Sequence, residues 1–394
     1  MKLNKWTLAL TAAGVVSLGS IVQAEEAQHQ VMTALSSSTL SGYVDTSANW
    51  RVGKTAGFIP GRTFDGMDKQ DGFNLNVVKL TLEKPLDEGQ WSAGYKADLV
   101  FGPDANYYGT TLNGGGGPVA GDFAVKQAYA NFRAPVGNGI DFKMGVFDTI
   151  IGYEVYESGN NPNYSRSYGY SLEPTHHTGL LASYHIVDNV SVSAGIADTA
   201  FGAINGRAAR GGVPASQTEK AYMGSISITV PDSVGFLKGS TFYAGAVDGL
   251  GGNTIDTTSV YGGLTLNTPV TGLTGGFAFD YRFNGPTGAG GIAPVKDSWA
   301  YAAAVYAAYQ TTEKLKFAVR GDWTEGSAGT YYAGTEKNEL LGITLTADYS
   351  LWSNLITRLE GRWDHAIGGD RPFPAAGVAD RNVFTLALNT IFKF

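Results

Sequence analysis

From Thr39 to the C terminus, apolar and polar residues alternate with a period of two. The clearest stretch is 339–349, where Leu341, Ile343, Leu345, Ala347 and Tyr349 interleave with Gly342, Thr344, Thr346 and Asp348. A strand of this kind is greasy on one face and polar on the other. The same beat recurs at 91–101, 221–230, 257–268, 272–283, 298–310, 314–324, 355–364 and 382–394, and more weakly at 39–50, 72–84, 122–134, 140–148, 178–185, 190–197 and 240–248. About sixteen strands are therefore expected. Within 72–84 the phase changes near Val77-Val78, which a bulge would produce.

The connections carry a second pattern. The odd-numbered ones (51–71, 102–121, 149–177, 198–220, 249–256, 284–297, 325–338 and 365–381) are long and the even-numbered ones (85–90, 135–139, 186–189, 231–239, 269–271, 311–313 and 350–354) short, with one exception: the 9-residue turn 231–239 exceeds the 8-residue loop 249–256. An up-and-down meander with loops at one rim and turns at the other gives this alternation, and outer-membrane barrels show that asymmetry. In hydrocarbon no water satisfies a stray N–H or C=O, so a spanning sheet must close and leave no edge. Aromatics near strand ends (Trp50, Trp91, Phe101, Trp299, Tyr309, Trp323, Tyr349, Trp352 and Trp363) fit interfacial girdles. The fold class expected is all-β: a transmembrane antiparallel up-and-down barrel spanning 39–394 as one domain. An exported, soluble all-β protein is the alternative.

Composition narrows the picture. The 394 residues contain 54 Gly and only 16% charged residues, against a usual glycine share near 7% and a charged share of roughly 25%. No three-residue period marks the glycines, which excludes collagen. Cysteine is absent, removing disulfides, thiolate metal sites and Cys nucleophiles. Net charge is −7 with no basic run, so nucleic acid is not an expected partner. At the N terminus, Lys2 and Lys5 precede an apolar run from Trp6 to Val22 and then Gln23-Ala24, which reads as a signal peptide over 1–24 rather than an anchor helix. Residues 25–38 are expected to be a short, unpatterned periplasmic leader. An even strand count puts both termini on the periplasmic side.

Catalytic patterns are missing: no Gly-x-Ser-x-Gly elbow, no His-Glu-x-x-His and no P-loop. His176-His177 is the only histidine pair, and neighbours on a strand point to opposite faces, so it reads as a polar loop pair. Gly114 to Gly117 reads as a flexible loop. Asp65, Asp68 and Asp71 offer a weak Ca²⁺ candidate without EF-hand spacing. The charges that matter are those whose alternation points them into the lumen: Arg133, Lys143, Asp280, Arg282, Arg320, Asp322, Asp348, Arg358, Glu360 and Arg362. On the lipid face Arg or Lys costs roughly 2–4 kcal/mol at midplane, so these should face water and could sort solutes by sign.

Three segments carry a resemblance. Leu40-Ser41-Gly42-Tyr43-Val44-Asp45, the run from Val125 to Gly137, and Asn163-Tyr164-Ser165-Arg166-Ser167-Tyr168 followed by His177-Thr178-Gly179 resemble the OmpL-like β-barrel porin type 2 family. The terminal Phe394, with Phe392, Leu388, Leu386 and Phe384 on its face, is similar to the assembly signal of bacterial outer-membrane barrels. After Met144-Gly145 the family's Lys and Thr-Pro-Ile-Gly turn are replaced by Val146 to Gly152.

The resemblance implies a passive outer-membrane channel for small solutes or ions, needing no catalyst or cofactor. By analogy with sixteen-stranded porins, the third loop, 149–177, should fold inward as a constriction. Glu154, Glu157, Arg166 and Glu173 would face the basic strands, and Tyr153, Tyr156, Tyr164, Tyr168 and Tyr170 would anchor the loop. The expected partners are outer-membrane lipid, small solutes and further copies in a homotrimer. The rival readings are a structural or adhesive barrel with a plugged lumen, and an outer-membrane hydrolase using His176, His177 and His365.

Overall fold

The computed structural model describes residues 31–32, 38–53, 57–66, 69, 71–108, 123–208, 218–252, 255–285, 297–368, 370–373 and 379–394. The signal-peptide segment 1–24, the glycine run 114–117 and Asp68 lie outside them.

Sixteen strands form the wall: β1 (Thr39–Arg51), β2 (Gly72–Lys84), β3 (Ser92–Phe101), β4 (Phe123–Ala134), β5 (Ile140–Asp148), β6 (His176–Val187), β7 (Val190–Ala197) and β8 (Ala221–Thr229), then β9 (Thr241–Leu250), β10 (Asp256–Asn267), β11 (Leu273–Asn284), β12 (Ser298–Gln310), β13 (Leu315–Gly326), β14 (Asn338–Trp352), β15 (Leu355–Ala366) and β16 (Asn382–Lys393). Each pairs antiparallel with its neighbour in sequence, and β16 pairs with β1 from Thr385↔Arg51 to Lys393↔Tyr43. The sheet is closed. Among the described residues no helix is long and apolar enough to cross a membrane. The expected leader is not wholly unpatterned, because Val31 and Met32 make a short antiparallel ladder with Leu40 and Thr39.

The alternation reads correctly as lipid-out. Phe73, Met144, Val305, Leu345, Leu359 and Phe384 are exposed large apolar residues on the outer face. Trp323 and Trp363 end strands near the long-loop rim, and their indole N–H groups donate to Glu339 (2.9 Å) and Asn382 (3.0 Å), so each ring has one apolar and one polar side. The expected phase change in β2 is a bulge between Asp45 and Thr46 of β1, with Asn76 as the extra residue. A second bulge opposite Asp98 inserts Lys126 into β4. Each turns an additional polar side chain inward.

Two boundaries differ from the sequence expectation. The third connection ends at Thr175, because His176 and His177 already belong to β6. The one exception to the alternation of long and short also widens: the turn after β8 covers 230–240, whereas the loop after β9 is 251–255. Turn lengths are tolerant because closing a slightly longer loop costs little entropy.

Candidate functional site

Cross-strand partners share a face, so the registers define rows running around the lumen. On β13 to β16 these rows alternate in sign. Lys316, Asp348, Arg358 and Asn389 lie in one row, Thr346 and Glu360 in the next, then Arg320, Thr344 and Arg362, then Asp322, Gly342 and Asp364. Opposite charges therefore stack one above another along the barrel axis.

The segment 149–175 lies against these rows. It has little regular structure, so its backbone groups require partners, and the wall's charged side chains provide them. The Glu360 carboxylate accepts the Tyr164 (2.6 Å) and Ser165 (2.9 Å) N–H groups, plus the Thr346 hydroxyl (2.7 Å). Asp322 accepts the Tyr168 N–H at 3.1 Å. Arg320 donates to the Ser165 and Arg166 carbonyls, to Glu154 at 2.9 Å and to Asp322 at 3.1 Å. Arg362 donates to the Arg166 carbonyl at 2.5 Å and to Asp364 at 2.8 Å, and its guanidinium lies 5.1 Å from the Tyr168 ring. Arg358 touches no carboxylate directly. Its donors go to Ser158 and Asn389, and both of these bond Asp45 (2.6 Å each), so the balancing charge is one residue removed.

The other arm of the segment reaches β1, β2 and β4. Glu157 pairs with Lys79 and lies 3.4 Å from Lys126. Burial would raise this carboxyl, but Lys126 and Lys79 outweigh it and hold Glu157 below the usual carboxylate range. Arg166 faces its own loop rather than the wall: it donates to the backbone carbonyls of Val155 (3.0 Å), Tyr164 (2.6 Å) and Tyr156, clamping the two arms together. Phe64 and Tyr170 pack on its guanidinium at 5.4 and 5.6 Å.

On the opposite wall the contacts change character. Ile150, Ile151 and Tyr153 form an apolar knuckle; Tyr153 stacks on Tyr306 of β12 with centroids 4.2 Å apart, and Ile151 joins a cluster containing Phe147, Leu181, Met223, Val247 and Tyr261. Two glycines make the close approach feasible. A Cβ on Gly245 would stand 2.7 Å from the Ile151 Cγ2, and one on Gly276 2.0 Å from the Tyr153 hydroxyl. At the end of the segment the buried Glu173 carboxyl faces the buried Asp280 carboxyl of β11. Burial and the adjacent Asp280 push the Glu173 carboxyl well above its ordinary value.

The sequence-predicted lumen charges all point inward, but most do not face open water. Arg320, Asp322, Arg358, Glu360 and Arg362 are 0–3% exposed because the loop lies on them. That corrects the expected eyelet of acidic loop facing basic wall across water: the groups are in contact. Asp280 is likewise buried, Arg282 stacks 4.3 Å from the Phe201 ring, and Asp348 pairs with Lys316 at 3.3 Å. Nearer the short-turn rim Arg133 holds Asp141 at 2.6 Å and Lys143 sits 5.0 Å from the Tyr129 ring. Asp65 pairs with Arg62, away from any three-acid cluster; among the described residues no group of three His, Asp or Glu could hold a metal. Of the anchoring tyrosines, Tyr156, Tyr164, Tyr168 and Tyr170 are buried.

Sequence reasoning missed Asp45, Lys79, Lys126, Asp364 and Asn389, which complete the docking surface. Lys126 and its neighbours were obscured because bulges break the period-two rule. Asp45 and Asp364 stood at inward positions of recognised strands, and only their partners on the loop give them weight.

The whole chain is similar to solved outer-membrane channels. The DcaP channel of Acinetobacter baumannii superposes with a TM-score of 0.57 at 11% identity, covering 92% of this chain and 99% of that one. The anion-selective porin of Comamonas acidovorans gives 0.57 at 14% identity, with coverage of 91% and 99%. The OmpF of Salmonella typhi, solved with daunomycin, gives 0.59 at 12% identity, with coverage of 93% and 100%. No curated protein matches in sequence. Residues 37–394, the entire barrel, match the family described as Putative beta-barrel porin-2, OmpL-like. A closed sixteen-strand wall, a loop docked on rows of inward charge and this family match together make the chain a member of the OmpL-like β-barrel porin-2 family, an outer-membrane channel for passive diffusion.

Proposed function

We propose that small hydrophilic solutes pass between the apolar knuckle of the 149–175 loop and the uncharged wall of β7 to β10, and that the loop is the constriction. One observation carries this reading: the loop is unevenly attached. On β13 to β16 its backbone is held by charge-assisted hydrogen bonds, which are roughly twice as strong as neutral ones, whereas Ile151 and Tyr153 meet β9 and β12 through van der Waals and stacking contact. The weaker seam is where a path opens.

The charges of β13 to β16 are then a docking surface. Since they are paired with the loop and with one another, they contribute little selectivity by sign. The termini face the periplasm, residues 1–24 direct export and are removed, and the barrels associate as homotrimers. A trimeric form of the similar Vibrio cholerae OmpT agrees with that assembly.

A plugged, non-conducting barrel is the second reading, favoured by the burial of inward side chains around the bore at loop level, including Val77, Leu181, Val247 and Arg358. Planar-bilayer recording across a salt gradient decides between them. The channel reading expects discrete current steps with a reversal potential close to zero; absence of steps supports the plug, and a strong cation or anion preference contradicts the neutral path.

A further inference from the structure

The proposed path runs beside a wall of unusual chemistry. Across β7 to β10 no inward position carries Asp, Glu, Lys or Arg. Toward the short-turn rim these positions become hydroxyls in register. Ser183 pairs with Ser193, with their Oγ atoms 2.9 Å apart, and Ser193 pairs with Ser225. In the next row Ser227 pairs with Tyr243. Ser183, Ser225 and Tyr243 remain partly exposed to the lumen. Ser227 is only 6% exposed, and its Oγ has no hydrogen-bond partner.

An uncharged wall offers a passing ion no counter-charge. It does offer a neutral solute two-way hydrogen bonding, since each hydroxyl both donates and accepts, together with the face of the Tyr243 ring. The unpartnered Ser227 hydroxyl is a standing energetic deficit that a ligand hydroxyl would relieve. Apolar surface with a few convergent polar groups is the usual make-up of a small-molecule site. We infer that the row of Ser183, Ser193, Ser225, Ser227 and Tyr243 is a binding track for neutral polyhydroxylated solutes, sugars or polyols, on the short-turn side of the constriction. This rests on the channel reading and adds its substrate class.

The test is current block in planar bilayers containing the purified full-length barrel. Sucrose is titrated into KCl, with a polyethylene glycol of matched hydrodynamic size as the control. Wild-type protein should show saturable block by sucrose and only the linear, viscosity-like decrease with the glycol. Ser193→Ala combined with Ser225→Ala, and separately Tyr243→Phe, should raise the half-blocking sucrose concentration at least about fivefold, which is roughly 1 kcal/mol. Each fractional block is referred to the same channel's sugar-free current, and heat-modifiable gel mobility confirms that the variants have folded. Linear decreases that are equal for both solutes, or saturable block unmoved in all variants, overturn the track while leaving the channel intact. A barrel without current steps overturns both.

Discussion

Arg320 has five N–H donors and a lumen position in the middle of a membrane-spanning strand, and its partners are Glu154, Ser165 and Arg166 of the loop together with Asp322 and Thr344 of the wall. Removing one side of such a buried arrangement leaves the rest uncompensated. Arg320→Met should therefore destabilise the docked loop by about 3–5 kcal/mol, seen as protease cleavage within 149–175 and a lower urea midpoint, rather than as a reversal of ion preference. Glu173 behaves in the opposite sense to Glu157. Its raised carboxyl means that the docked loop holds a proton which a free loop would release, so docking is strongest below the ordinary glutamate value of 4.5 and weakens as pH rises through the docked value. Glu154 on the loop faces the same pair and reinforces that direction. Glu157, held low, anchors the other arm over this whole range and fails only in strong acid. Conductance should accordingly rise with pH in the wild type, and the slope should flatten in Glu173→Gln, whose amide can donate to Asp280 and cannot titrate.

Among the elements, the distinction is between strands that hold the loop and strands that it merely touches. The sign-alternating rows of β13 to β16 arise because β-pairing places residues two apart in sequence on successive rows, so Arg358, Glu360, Arg362 and Asp364 on one strand become four layers of charge. The glycines of β9 and β11 do the reverse, removing side chains where Ile151 and Tyr153 press in. Gly276→Val should force Tyr153 off Tyr306, and Tyr153→Ala should empty the same seam directly. Both are expected to increase single-channel conductance with little change in urea midpoint, because the charged side of the loop stays docked. If conductance is unaltered in both, the path does not run past the knuckle.

For the molecule as a whole, closure between β1 and β16 satisfies the last pair of edges, and the outer surface is then constrained by lipid everywhere. Leu345 stands outward in the middle of β14 and is 60% exposed, whereas Thr344 beside it points into the buried charge rows. Leu345→Arg should cost about 2–4 kcal/mol in a urea titration in lipid. A negligible loss would mean that this face does not meet hydrocarbon.

The sixteen strands, their lipid-facing sides and the bulge in β2 were legible in the sequence by itself, because each depends on local alternation and on the rule that a membrane sheet must close. So was the inward direction of Arg320, Arg358 and Arg362. What those arginines touch was decided only in three dimensions: Ser158, Ser165 and Arg166 are more than 150 residues away along the chain from the arginines that bind them, and no periodic signal links a loop to the wall opposite its own strands. Lumen-facing and water-facing are the same property in an empty barrel, and they part company once a loop folds in. The hydroxyl track likewise needed the registers, since Ser183, Ser193 and Ser225 become one row only when β6, β7 and β8 are aligned by their hydrogen bonds.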